Sequence, residues 1–137
     1  MSAATFLDTA HILALLNPRD TWHERAIVAS QASPQHMVTT EAILTEVADA
    51  LSRPPHRHWA LQAIDDLRSD PDVTCVPVEA GLFSRALEYY RARADKAWSL
   101  TDCISFVVMT EHGLSDALTT DVHFEQAGFR ALLRDPS

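Results

Sequence analysis

Residues 103–109, CISFVVM, constrain this chain more than any other stretch. Wound as a helix they are apolar nearly all round, and a helix without a polar face must lie buried between other elements. Asp102 opens that helix, and Ser99, three residues earlier, completes the spacing of a capping box. His112-Gly113 supplies a stop, after which ALTT reads as a strand. Asp121 falls where this strand ends and another helix begins. A buried helix and a neighbouring strand thus each present a carboxylate at the carboxyl-end edge of a sheet, where open α/β folds hold their ligands.

From the start of the chain, ATFLDTAHILALLNPRD gives a short strand around Ala3 to Leu7, then Asp8. Helical apolar spacing follows from His11 to Leu16, stopped by Asn17-Pro18. Thr21 and Glu24 have capping-box spacing for a second helix over roughly 21–33, which Ser33-Pro34 breaks. HMVTT reads as a second strand, and a third helix runs from Thr40 to about Leu51, ended by Arg53-Pro54-Pro55. HRHWALQAIDDLRSD carries Ala60, Ala63, Ile64 and Leu67 on one face of an amphipathic helix. DVTCVPV is a third strand, and Phe83, Ala86, Leu87, Tyr90 and Ala94 line a long fifth helix. After the central helix and ALTT come a short helix at 122–127, Gly128 and a last strand, FRALL. Strands alternating with helices predict one α/β domain over 1–137, three-layered (α/β/α) with a mainly parallel sheet of about five strands.

A 137-residue chain with 47% hydrophobic residues can bury its own core. No apolar run approaches the roughly 20 residues of a membrane span, and the N-terminus lacks a basic segment leading into a signal-type core. The sequence therefore predicts a soluble, cytoplasmic protein. Cys75 and Cys103 lie in apolar segments without metal-type spacing and read as buried free thiols. A formal net charge of −8 argues against passive binding of nucleic acid, which calls for a basic face. It remains compatible with chemistry on phosphodiesters, provided cations neutralise carboxylates and phosphate together.

Four carboxylates stand out by position. Asp8 follows a strand and precedes a helix, where Asp is also a favoured N-cap. In ILTEVADAL the apolar stripe is Ile43, Val47, Ala50 and Leu51. Glu46, three residues after Ile43, falls on the edge of that stripe, whereas Asp49 lies further round toward solvent. A carboxylate at a core boundary is costly unless paired or bound to a cation, so Glu46 is either half of a partly buried ion pair or a ligand. Asp102 and Asp121 each have a capping explanation, from Ser99-x-x-Asp102 and from the helix VHFEQAG. Asp95 and Asp116 read as surface residues, in a loop and at a strand entry. Jointly, Asp8, Glu46, Asp102 and Asp121 lie at, or within two turns of, the elements leaving one sheet edge, where like charges repel unless cations hold them. Hard oxygen donors of this kind select Mg²⁺ or Mn²⁺.

On FLDT, LTEVADAL, SLTDCISFVVM and LTTDVHFEQAGF, in that order over essentially the whole chain, the sequence resembles the PIN domain. This is the metal-dependent nuclease fold of VapC-type toxins in bacterial and archaeal toxin–antitoxin pairs. The resemblance implies that the family's acidic quartet falls on Asp8, Glu46, Asp102 and Asp121, with Thr9 and Thr120 at small hydroxyl positions flanking these acids. It further implies a parallel sheet with helices on both faces, a homodimer, and RNA cleavage with Mg²⁺ or Mn²⁺. For a toxin, a small antitoxin covering the cleft is expected. The RNA target does not carry over, because members cut different RNAs. Two other readings stand beside this one: a PIN-fold module that binds nucleic acid or regulates without catalysis, and a stand-alone nuclease acting on single-stranded DNA or RNA. A phosphatase of the haloacid dehalogenase type is disfavoured because Ala10 stands where its second aspartate belongs. A receiver domain is disfavoured by the lack of paired early acids and of a late lysine beyond a strand.

RNA reaching an acidic cleft needs cations beside it. Arg53, Arg57, Arg91, Arg93 and Lys96 are the candidate RNA contacts, the last three on the approach to Asp102. Each also reads as an ordinary solvated charge. His56 and His58 read as surface histidines, while His11 and His123 lie nearer the acids without being assigned as metal ligands. Trp22, Trp59 and Trp98 read as packing or interface residues. With no convincing Ser/His/Asp or Cys/His set, water activated by a cation is the expected nucleophile.

Overall fold

The structure, a computed structural model, describes residues 4–33 and 36–134. The first half of the chain forms β1 (Thr5–Leu7), α1 (Thr9–Leu16), α2 (His23–Ala32), β2 (Met37–Thr40), α3 (Glu41–Ala50) and α4 (Pro54–Ser69). The second half adds β3 (Val73–Val76), α5 (Ala80–Ala92), α6 (Leu100–Glu111), β4 (Asp116–Leu118), α7 (Val122–Gln126) and β5 (Arg130–Ala131). The strands make one sheet in the order β3-β2-β1-β4-β5, and every adjacent pair is parallel. The expected α/β architecture with a five-stranded parallel sheet flanked by helices is therefore present.

β1 sits at the centre, and its residues Thr5, Phe6 and Leu7 are all buried, as befits a strand covered on both faces. From β1 the chain goes by way of α1 and α2 to β2 on one side, and β4 later joins the other side. The crevice between the carboxyl ends of β1 and β4 is thus the topological switch point of the sheet, where neighbouring connections diverge and leave room for a ligand.

α6 is the buried helix that CISFVVM predicts. Cys103, Ile104, Ser105, Phe106, Val108 and Met109 are all buried along it, and α5 packs alongside. Phe106 anchors an aromatic layer: its ring meets Phe124 at 5.0 Å and Trp98 at 5.1 Å, both edge to face. Such geometry sets the positive ring edge against the negative face of its partner. Truncating Phe106 to Ala would cost about 3–5 kcal/mol, because the surrounding rings can collapse only partly. Trp98, 5% exposed, is the packing residue its sequence position suggests.

Element boundaries differ from expectation at several places. α1 starts at Thr9 rather than His11, directly after Asp8. The capping box over Thr21 and Glu24 does not form; α2 starts at His23 behind Trp22, and Asp20 Oδ1 accepts from the Trp22 N–H (2.8 Å) instead. Pro54 and Pro55 do not merely follow α3: they open α4, where a missing N–H costs nothing because the first turn has no acceptor for it. α5 ends at Ala92, short of Ala94, and FRALL contributes only Arg130–Ala131 as strand. Cys103 is buried, but Cys75 is only half-buried; both thiols are free. The expected strand start at Ala3 and the Pro34 breaker lie outside the described residues. Among the described residues no helix is long and apolar enough to cross a membrane.

Candidate active site

The parallel register of β1 and β4 builds the floor of the site. It pairs Phe6 with Ala117 and Leu7 with Leu118, and the Asp8 N–H donates to the Leu118 carbonyl (3.2 Å), which carries Asp8 to the level of Thr119. The Thr119 hydroxyl donates to Asp8 Oδ2 (2.6 Å) and accepts from the Asp121 N–H (3.0 Å). Asp8 holds the N-cap position of α1, yet its side chain makes no capping bond to that helix. Burial pushes its carboxyl up to about 7, and the Asp102 and Asp121 charges add to this, while the Thr119 hydroxyl and the nearby Thr9 backbone act against it. A buried carboxyl facing two others resists ionisation because no positive charge compensates it.

Glu46 reaches the same place from α3. That helix is capped by Thr40, whose hydroxyl accepts from the Ile43 N–H, and Ile43, Leu44 and Val47 bury its inner face. Glu46 is half-buried at the edge of that face and accepts from the Thr9 hydroxyl (2.6 Å). No basic residue is paired with it in an ion pair among the described residues, so the simple salt-bridge explanation of its position is not what the structure offers.

Asp102 does form the capping box: its N–H donates to Ser99 Oγ (2.9 Å) and its Oδ2 accepts from the Ser99 N–H (3.1 Å). The same Oδ2 lies 3.0 Å from His123 Nδ1. Asp121 caps α7 by accepting from the His123 N–H (2.8 Å), and its Oδ1 lies 3.4 Å from His123 Nδ1. Capping and a place in the site therefore coexist in both residues. Asp8, Thr9, Glu46, Ser99, Asp102, Thr120, Asp121 and His123 all line one open cleft of about 480 Å³.

The PIN domain family model matches residues 5–130. The chain belongs to the PIN domain family. It is 31% identical over 124 residues, 90% of its length, to the 23S rRNA-specific endonuclease VapC20 of Mycobacterium tuberculosis, spanning 94% of that relative. The crystal structure of M. tuberculosis VapC20, a toxin that cleaves the sarcin–ricin loop, superposes with a TM-score of 0.84 at 29% identity, covering 91% of this chain and 95% of that one. FitAcB from Neisseria gonorrhoeae matches with a TM-score of 0.65 at 17% identity, covering 93% of this chain and 94% of that one. VapBC2 from Rickettsia felis, bound to a DNA fragment from their promoter, matches at 0.62 and 9% identity, covering 93% and 96%. The last two show the fold alone.

In this PIN domain the four acids and Thr9 that the sequence singles out come together. Thr120 also lines the cleft, but the hydroxyl bonded to an acid is that of Thr119, one residue earlier. His123 is the other residue that sequence reasoning left aside. One ligand atom each from Asp102, Asp121 and His123 fall within 4.8 Å of one another, close enough to share an ion. The signal for both was present: a buried hydroxyl next to a strand end, and a histidine two residues past an aspartate cap. The donor set of carboxylates with one imidazole fits a divalent cation, and the uncompensated charge around Asp8 is what such a cation would neutralise. Arg53 is exposed at the N-cap of α4 and, among the described residues, does not line the cleft. Arg57 lines a groove between α3 and α4 instead.

Proposed function

We propose that this PIN domain is a divalent-metal-dependent endoribonuclease that hydrolyses RNA phosphodiester bonds, the toxin of a type II toxin–antitoxin pair. The observation that carries this reading is the meeting of Asp8, Glu46, Asp102 and Asp121 in one cleft at the switch point of the sheet. Its nuclease relative VapC20 supports the activity, and VapC20 being a toxin supports a small antitoxin as partner. RNA as substrate, a homodimer and Mg²⁺ or Mn²⁺ as cofactor belong to the same reading. Since VapC20 acts on the sarcin–ricin loop of 23S rRNA, an exposed rRNA loop is the first substrate to offer.

Asp8, Glu46, Asp102 and Asp121 are the residues that would hold Mg²⁺ or Mn²⁺, with His123 beside the last two. Such a cation eases deprotonation of water for attack on phosphorus and offsets charge on the phosphate and leaving oxygen. The protein's own part is placement. Thr119 donates to Asp8 Oδ2, and the strand register leaves the carboxylate fixed at the floor of the cleft. Thr9 fixes Glu46, while Ser99 and His123 fix Asp102. Side chains held this way lose little freedom when the site fills, so donors are already aimed where charge develops.

The test is incubation of the purified protein with total cellular RNA and with a sarcin–ricin-loop oligonucleotide, in Mg²⁺, in Mn²⁺ and in chelator. Metal-dependent cutting that disappears in Asp102→Asn is the expected result. Full activity in a well-folded Asp102→Asn variant overturns the assignment. Tight metal binding with no cleavage of any RNA selects the binding-module reading, and cutting confined to single-stranded DNA selects a stand-alone nuclease.

A further inference from the structure

Beside the acidic cleft lies a second one of about 450 Å³, lined by Leu87, Tyr90, Arg91, Arg93, Ala94 and Lys96. The two adjoin along the chain, because Lys96 lines the second and Ala97 the first. The chain has a net charge of −8 and a single lysine, yet that lysine and two of its arginines fall within residues 91–96. Positive charge is thus concentrated on the one segment that leads into Ser99 and Asp102.

The cations differ in how they are held. Arg93 lies over the Tyr89 ring (4.7 Å), Tyr89 stacks on Trp98 (5.9 Å, 13°), and Trp98 Nε1 donates to Gln126 of α7 (2.9 Å). This chain of contacts ties Arg93 to the helix that Asp121 caps, so its position relative to the acids is fixed. Among the described residues, the ion-pair partners of Arg91 and Lys96 are loose exposed carboxylates, Glu88 at 3.4 Å and Asp95 at 3.6 Å. Such pairs are weak and exchange readily for a phosphate. Tyr90, 46% exposed, stands among these cations with its ring in solvent.

We infer that this cleft is the subsite for the RNA strand flanking the cleaved bond, with Arg91, Arg93 and Lys96 on backbone phosphates and Tyr90 stacking on a base. The inference rests on the nuclease reading and gives it a substrate-binding surface. Cations pairing with successive phosphates and an aromatic face beside them are the elements by which proteins grip single-stranded nucleic acid. An acidic cleft repels a polyanion until it is metallated, so a cationic foothold next to it decides where the strand enters.

The test is a fluorescence-anisotropy titration with a labelled single-stranded RNA of mixed sequence, in Mg²⁺ and in the Asp102→Asn background, so that the RNA stays whole. Arg91→Ala with Lys96→Ala should weaken binding at least tenfold at low salt and flatten the log–log salt dependence by about 1.4, at roughly 0.7 for each phosphate no longer neutralised. Tyr90→Leu should weaken binding by roughly tenfold with the salt slope unchanged, the signature of missing stacking rather than missing charge. Arg19→Ala with Arg68→Ala removes the same charge elsewhere and should do neither. Equal weakening in that control, or binding and slope unchanged in Arg91→Ala with Lys96→Ala, overturns the subsite; the second result leaves an acidic protein segment as the occupant. Absence of salt-dependent RNA binding by the parent protein overturns it as well. Because the readout is binding, it stands apart from the cleavage assay: the nuclease reading can fail while the subsite holds, and the reverse.

Discussion

Asp8 and His11 lie three residues apart, and burial forces both toward their neutral forms. Asp8 is 6% exposed and its carboxyl is pushed up to about 7; His11 is 0% exposed and its imidazole is pushed down to about 4. Their surroundings separate them. His11 Nε2 is paired with Ser30 Oγ (2.8 Å), its Nδ1 has no hydrogen-bond partner among the described residues, and burial alone lowers its pKa. Asp8 faces Asp102 and Asp121 across a cleft open to solvent, so a cation can enter and relieve it. The same desolvation is a packing cost at His11 and a stored affinity for positive charge at Asp8.

The contrast predicts different consequences of mutation. The largest effect belongs to the acidic side: Asp121→Asn keeps the cap on α7 but weakens cation binding, and metal-dependent RNA cleavage should fall by about 1,000-fold, the several kcal/mol such a cation supplies. His11→Asn, assayed alongside, should leave cleavage per folded molecule within about twofold. Retention of a tenth of the activity by Asp121→Asn, at saturating Mg²⁺ and Mn²⁺, would break the comparison.

Next comes the pH dependence of stability without divalent ions, where the two groups act in opposite directions. Unfolded Asp8 releases its proton near 3.8 and folded Asp8 near 7, so the folded state holds more protons between them and stability falls as pH rises. Over the whole window that is about 4 kcal/mol at 1.36 kcal/mol per pH unit. Unfolded His11 takes up a proton below 6.5 and folded His11 only near 4, so its contribution is lost as pH falls through that window. That amounts to about 3 kcal/mol. The two trends nearly cancel in the intact protein from pH 4 to 6.5. Urea unfolding across that range should therefore show Asp8→Asn gaining stability with rising pH relative to His11→Asn. Parallel curves for the two variants contradict the burial of one or the other.

The smallest effect sharpens the comparison within the site. Thr119→Val removes the donor to Asp8 Oδ2 and the acceptor for the Asp121 N–H while keeping the side-chain shape, which should cost about 1–3 kcal/mol in thermal unfolding. Thr120→Val, half-buried at the cleft rim, should stay within about 0.5 kcal/mol. The reverse order would return the supporting role to Thr120.

Much of this was legible without coordinates. The alternation of short strands and helices, the burial of 103–109 and the shared edge of Asp8, Glu46, Asp102 and Asp121 all follow from apolar period and from turn and cap residues. These are local signals, repeated over many residues, and a single ambiguous position does not disturb them. Ends of elements were less legible. Thr21 and Glu24 have the spacing of a cap, yet α2 starts at His23 behind Trp22 with no side-chain cap, and Pro54-Pro55 stops one helix while starting the next, because each motif is short and the local backbone can satisfy its groups in more than one way.

The sequence by itself determined which residues are acids at helix starts and strand ends, and hence the kind of chemistry within reach. Only the tertiary structure decided which atoms meet. The pairing of Leu7 with Leu118 sets Asp8 level with Thr119 rather than Thr120, and a shift of one residue along a strand turns a side chain to the other face. The contact of His123 with Asp102 spans 21 residues, and that of Thr9 with Glu46 spans 37. Such contacts arise from how separate elements pack, and no periodicity along the chain encodes them.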